Sequence, residues 1–365
     1  MVYRSIVFIC VLAIGSSVSI RKAQAGNGAS APVHGIFAIN AVHLQTHHGV
    51  SSYQVDSSML TNPSVDGISI RMFWTDVEPT EGVFGWSTLD SLIAQTASAG
   101  KVVSIRIMPG YSTPDWVYAA GAQAFNFVWD QSTWGPAFCS IARIPVPWDP
   151  VFLSKWNALV QAFGAHYSNN AAVVAVKITG LSTESEETNL PFSVNKPLTN
   201  GQIGCTSNND VANWQAIGYT RTRAVNAWEQ IAQMFQQAFP GMLLEDSIQP
   251  GGFPPIDNNG NLISGFNGAD TIASQNITNY AVSTFGTQFG FQNDALTSTW
   301  NWSYQAGFAS RVETGYQTLA ALGLNLPAAL NNVINSGADY VELYEGDLTN
   351  PVLQPALALI HNILG

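Results

Sequence analysis

Two apolar runs with a helical stretch between them set the rhythm of this chain. Ile68 to Phe73 is the first run, and Val102 to Met108 is the second. Between them Leu89, Leu92, Ile93 and Ala97 recur at helical spacing. Ser87 is expected to cap that helix, with Asp90 three residues on completing an acidic variant of the capping box. Gly100 is its natural stop. Strand, helix and strand follow each other through short joins, so the two strands should run parallel.

The same rhythm continues along the chain. A first strand is expected at Gly35 to Asn40, a fourth at Ala172 to Ile178, a fifth at Met242 to Ile248 and a sixth at Phe289 to Leu296. Ala309 to Gln317 reads as a seventh and Asp339 to Tyr344 as an eighth. Helices are expected at Pro150 to Tyr167, Asp210 to Phe239, Ile272 to Phe285 and Val352 to Leu364. Another runs from Thr318 to Ser336, interrupted at Leu326-Pro327. The strand count reaches eight only with the seventh segment, and closure of a barrel requires it. The fold class expected is therefore α/β, a (β/α)8 TIM barrel in a single domain with long βα loops. The longest of these, Tyr111 to Pro150, carries Trp116, Trp129, Trp134 and Trp148.

The N-terminus changes the picture of where the protein works. Arg4, an apolar core from Ile6 to Ile14, and Ala23-Gln24-Ala25 have the form of a secretory signal over residues 1–25. That core is too short to span a bilayer. Residues 26–33 read as a loose leader, and residues 34–365 as the barrel. The segment takes three of the 13 basic residues with it (Arg4, Arg21 and Lys22), leaving 10 basic against 24 acidic side chains. So acidic a chain argues against nucleic acid and anionic membranes as partners. In an oxidising compartment Cys139 and Cys205 are expected to form a disulfide. There is no metal-type cysteine spacing, G-x-G-x-x-G after the first strand, P-loop or G-x-S-x-G elbow, so no cofactor is implied. The pair His47-His48 reads as a solvated turn.

The wording between Gly67 and Tyr118 carries more. It holds W-x-x-x-E-P-x-x-G-x-F-x-W-x-x-L-D, then G-K-x-V-x-x-R-I-x-P-G, then T-P-x-W-V. This resembles the second and third βα units of retaining (β/α)8-barrel glycoside hydrolases of clan A, closest to the barrel domain of family 42 β-galactosidases. The resemblance implies a secreted glycosidase acting on an oligo- or polysaccharide through two carboxyl groups. One follows strand four as acid/base, and the other ends strand seven as nucleophile.

Those places select residues here. After strand four come Glu184, Glu186 and Glu187, whose crowding favours a raised pKa on one of them. Glu187 is taken as the acid/base, with Glu186 second. The family's Asn before this Glu is absent, since Glu186 stands there. Glu313 is taken as the nucleophile, with Glu342 or Glu345 of the eighth strand as the rival if the seventh is miscounted. Arg71 could hold a nucleophilic carboxylate ionised. Trp74, Tyr111, Trp116 and Trp300 (or Trp302) are candidate sugar platforms, whereas Glu78 reads as structural. The departure at Glu186 leaves a carbohydrate-binding barrel without catalysis as the alternative.

Overall fold

The structure is a computed structural model describing residues 33–40, 53–129, 135–183, 186–192, 209–263, 269–299 and 303–365. Its strands are β1 (Gly35–Asn40), β2 (Gly67–Phe73), β3 (Val102–Met108), β4 (Ala124–Val128), β5 (Ile141–Pro145), β6 (Val173–Lys177), β7 (Leu243–Ser247), β8 (Phe289–Leu296), β9 (Glu313–Thr318) and β10 (Tyr340–Leu343). Eight of them close in the order β1-β2-β3-β6-β7-β8-β9-β10, with β10 returning to β1. Every pairing in the barrel is parallel. The expected (β/α)8 TIM barrel is thus the observed fold.

Alternation along the strands sorts the side chains into two environments. Ile68, Ile70 and Met72 of β2, and Val103, Ile105 and Ile107 of β3, join the large apolar cluster under the helices. Helix Pro150–Tyr167 shows how that shell is built. Asp149 caps it by accepting from Val151 N and Phe152 N, both at 2.9 Å, an arrangement worth about 1 kcal/mol. It then buries Phe152, Trp156, Leu159, Phe163 and Tyr167. The other set of strand residues points into the barrel. At the amino end Val33, Phe37, Leu243 and Tyr340 form a small apolar plug. Glycine makes room for it: a Cβ on Gly67 would lie 2.3 Å from the Phe37 ring, and one on Gly315 2.1 Å from the Tyr340 ring. Above the plug the interior turns polar, and the site lies there.

Several local expectations change. Helix Ser87–Ser98 starts at Ser87 itself, with Trp86 in the cap position and no side-chain cap. Asp90 is engaged elsewhere, accepting from Tyr167 Oη at 2.8 Å. The helix expected over Asp210 to Phe239 is two, Asp210–Ala216 and Arg221–Ala238, parted at Gly218, whose φ is +79°. In the last third Pro327 sits in the first turn of helix Leu326–Asn335, where its missing N–H costs nothing, so the interruption is a start. The long loop after β3 contains an antiparallel hairpin, β4 with β5, outside the barrel sheet. Residues 1–32 and Cys205, on which the expected leader and disulfide rest, lie outside the described residues. No helix among the described residues is long and apolar enough to cross a membrane.

One shift has a large consequence. β9 begins at Glu313 and ends at Thr318, so Glu313 opens the strand instead of lying near its end. Its Oε2 accepts from Val33 N at 3.0 Å, just ahead of β1. Six strand residues rise roughly 15–20 Å, which sets Glu313 at the far end of the barrel from the strand-four carboxylates. Burial there pushes its carboxyl up to about 8, with Asp339 adding to the rise. A carboxyl raised in the fold contributes stability that is full below its ordinary value of 4.5 and lost as pH rises through 8. The Glu313→Gln variant is therefore expected to melt about a few degrees above the parent at pH 9 and level with it near pH 5. Thermal unfolding followed across that range checks this.

Candidate functional site

The polar half of the interior is built from inward positions of seven strands. Arg71 on β2 and Arg106 on β3 are register partners, so two guanidinium groups stand side by side. Glu186, 1% exposed, lies between them. It takes a close hydrogen bond from Arg71 Nη2 and another from Arg106 Nη1 at 2.9 Å. Arg106 also grips Glu342 on β10, with Nη1 3.0 Å from Oε2 and Nη2 close to Oε1. Ser69 Oγ donates to the same carboxylate, as does Gln292 Nε2 at 2.9 Å. Gln292 in turn accepts from Tyr340 Oη at 3.0 Å.

A second centre adjoins the first through Gln292, whose Nε2 donates to both. Asp294 on β8 accepts from Ser247 Oγ and Gln292 Nε2, both at 2.7 Å. Lys177 at the end of β6 donates to Ser247 Oγ at 2.7 Å and stands 3.8 Å from Asp294 Oδ2. Ser104 Oγ donates to Glu245 Oε2 at 2.6 Å one layer down.

These surroundings drive the carboxyl groups apart. Burial alone would raise Glu186, but the charges of Arg71, Arg106 and Lys177 hold it well below the usual range. Glu342 is likewise buried, yet Arg106 and Lys177 bring it down to about 2. Asp294 goes the other way. Burial raises it, Glu186 and Glu342 push in the same direction, and Lys177 offsets only part. Glu245 is raised by burial and by Glu342. Glu186 and Asp294 are thus driven in opposite directions, Glu186 down by its cationic neighbours and Asp294 up by burial. Each has a buried oxygen, Glu186 Oε2 and Asp294 Oδ2, that takes no hydrogen bond.

The carboxyl end of the barrel holds these groups. Thr188 pairs with Ile248, one residue past β7, and this fixes Glu186 and Glu187 at that end. Glu187 is half-buried and accepts from Gln249 Nε2 at 2.7 Å and from Asn189 Nδ2 at 3.3 Å. Glu345 is exposed and opens a short helix beyond β10. Glu342 faces the strand-four cluster through Arg106, and Glu313 does not. The place the resemblance implies for a nucleophile, an inward position near the end of the seventh barrel strand beside Arg71, is filled by Gln317. This amide accepts from Arg71 Nη2 at 2.8 Å.

The expected sugar platforms divide. Trp74 is fully buried, with Trp116, Phe152 and Trp156 around it and its Nε1 donating to Glu78 Oε2 at 2.8 Å. It is core and cannot stack on a sugar, because the family motif around it builds the barrel wall. Trp116 is half-buried, lies edge-on to Trp74 and donates to Glu78 O at 3.1 Å. Tyr111, also half-buried, meets Trp129 edge-on at 4.8 Å. Trp300, Trp302, Glu184 and His47-His48 lie outside the described residues. Sequence reasoning missed Lys177 and Asp294. A signal for Asp294 was present: Gly290, Gln292 and Asp294 alternate as non-apolar positions in a strand expected to be buried on both faces. No group of three or more His, Cys, Asp or Glu among the described residues could hold a metal ion.

Comparison with known proteins agrees with this geometry at the level of the fold. Residues 46–188 match the family model described as β-galactosidase, glycoside hydrolase family 42. The resemblance read over Gly67 to Tyr118 falls within that match, so this part of the chain is similar to that family. No curated protein matches the chain. Among solved structures, the catalytic domain of a β-amylase from Paenibacillus polymyxa superposes with a TM-score of 0.57 at 11% identity, covering 91% of this chain and 98% of that one. A β-galactosidase from the psychrophilic Marinomonas ef1 gives 0.53 at 12% identity, covering 90% of this chain and 59% of that one. A cold-adapted β-galactosidase from Rahnella sp. R3 gives 0.51 at 11%, covering 92% and 56%. This chain thus spans little more than half of either β-galactosidase.

Arg106 is the electrostatic hinge of the site, and its removal tests that. Arg106→Met leaves Glu342 and Glu186 short of a counter-charge in the interior. It is expected to cost about 3–5 kcal/mol of stability. The double variant R106M/E342M should regain part of the loss, since Glu186 keeps Arg71. Urea denaturation of the two variants and the parent checks both statements.

Proposed function

We propose that the protein is a secreted glycoside hydrolase whose reacting groups are Glu186 and Asp294. What supports this reading is that the two buried carboxyl groups are driven in opposite directions, each with a buried oxygen that makes no hydrogen bond among the described residues. Such divergence is what acid and nucleophile require of two otherwise similar side chains. Asp294, neutral, gives its proton to the glycosidic oxygen as the bond to the anomeric carbon breaks. Glu186, ionised between two arginines, attacks that carbon to form a glycosyl-enzyme. Water then attacks the glycosyl-enzyme, passing a proton to Asp294 as the bond to Glu186 breaks. Retention of configuration is part of the proposal and rests on the resemblance of Gly67 to Tyr118 to retaining glycoside hydrolases. Carbohydrate as the substrate class rests on the family match over residues 46–188. Export, a mature chain starting near Gly26 and a Cys139–Cys205 disulfide belong to the proposal as well.

One observation favours a second reading, a barrel that binds glycans without cleaving them. Gln317 is an amide beside Arg71, where the resemblance implies a carboxylate.

A panel of aryl glycosides and plant and microbial polysaccharides separates the two readings. Hydrolysis is expected on at least one member, with NMR of the first-formed product showing the retained anomer. Glu186→Gln and Asp294→Asn should each lower kcat by roughly 10²–10⁴, while Glu313→Gln leaves it unchanged. Activity should persist on the acid side and fall as pH rises through the raised pKa of Asp294, where the acid loses its proton. A loss concentrated in Glu187→Gln instead would move the acid to the rim. Full turnover in both E186Q and D294N sinks the assignment. Binding without turnover by the wild type leaves the lectin-like reading.

A further inference from the structure

Among the described residues, the backbone of the segment that carries Glu186 and Glu187 meets the barrel sheet at one isolated bridge. Thr188 N donates to Ser247 O at 2.8 Å, and Thr188 stands beside Ile248. The side chains of Glu186 and Glu187 have their own partners, Arg71 and Arg106 for the first and Gln249 and Asn189 for the second, and the backbone that carries them has a further side-chain contact. The contact lies on the outside of the barrel. Asp246 falls between Glu245 and Ser247, both inward, so alternation turns it toward the helices. It is fully buried. Its carboxylate accepts from Thr188 Oγ1 at 2.8 and 3.1 Å and from Trp228 Nε1 at 2.8 Å. Trp228 itself is buried in helix Arg221–Ala238. A charged group in the apolar layer between sheet and helix is costly unless its hydrogen bonds are made. Here they are spent on one hydroxyl in the glutamate-bearing segment and one indole in the shell.

We propose that Asp246 is a positioning residue: from outside the barrel it fixes Thr188, and through Thr188 the placement of Glu186 inside and Glu187 at the rim. This inference rests on the hydrolase reading only for its catalytic consequence. The geometric part stands by itself. Leu190 N donating to Gly252 O at 2.7 Å, and Gln249 Nε2 holding Glu187, lie on the same seam between this segment and the chain after β7.

Hydrogen–deuterium exchange of residues 186–192 in the full chain tests the clamp directly. Thr188→Val and Asp246→Ala are each expected to speed exchange there at least about tenfold. Asp246→Asn, which keeps an acceptor for Trp228 and Thr188, restores protection. The double variant T188V/D246A should be no faster than D246A, because the two residues act through one contact. On any glycoside the wild type cleaves, T188V and D246A should lower kcat at least about tenfold with KM changed by less than about threefold. D246N should recover most of the rate. If D246A does not fold, T188V carries the test. Unchanged protection of residues 186–192 in folded T188V overturns the proposal. If the wild type cleaves no glycoside, the exchange result still decides the role of Asp246, and the hydrolase reading alone falls.

Discussion

Two guanidinium groups in register on neighbouring strands repel each other, and the upper half of this barrel is organised around satisfying them. Arg71 and Arg106 are direct partners across β2 and β3, a juxtaposition that destabilises a sheet unless a counter-ion sits between them. Glu186 is that counter-ion, and it bonds both. It comes from the segment after β6 and not from a strand. Arg106 has donors to spare and binds Glu342 as well. Ser69 and Gln292 then complete the hydrogen bonding of that carboxylate.

The remainder of the interior follows from charge balance in a place where water has little access. Lys177 sits against Asp294 and Ser247, and neutral forms of Asp294 and Glu245 are favoured by burial. A buried ion pair is weak support for stability by itself, since desolvation consumes most of the Coulombic gain. What it supplies here is placement. The apolar plug of Phe37, Leu243 and Tyr340 closes the amino end, so the polar groups are confined to the carboxyl half. Barrel enzymes carry their chemistry at that end.

The site departs from the pattern its sequence resembles in one coherent way. Near the end of the seventh strand, beside Arg71, stands an amide, Gln317. The carboxylate that Arg71 needs is supplied by Glu186 instead. The strand position thus carries no charge, and the carboxylate that bonds Arg71 is the one after β6. The match to the β-galactosidase family ends at residue 188, just past that segment.

Strand and helix order was readable in the amino-acid pattern, because apolar periodicity and caps are local. β8 and helix Pro150–Tyr167 have the bounds the pattern predicts, and the weaker seventh barrel strand was supported by the need for closure. Arg71 and the glutamates after the fourth barrel strand were legible as site residues from the wording around them. The tertiary structure decided which carboxyl groups meet. Glu313 was read as ending a strand that it begins, and a shift of a few residues along a strand moves a side chain from one face of the barrel to the other. Trp74 was read as a platform, but Trp116, Phe152 and Trp156 enclose it. Asp294 and Lys177 became partners only when β6 and β8 closed on either side of β7. Local sequence carries the period of a strand. Its first residue, its inward face and its neighbours across the barrel depend on contacts between segments far apart in the chain.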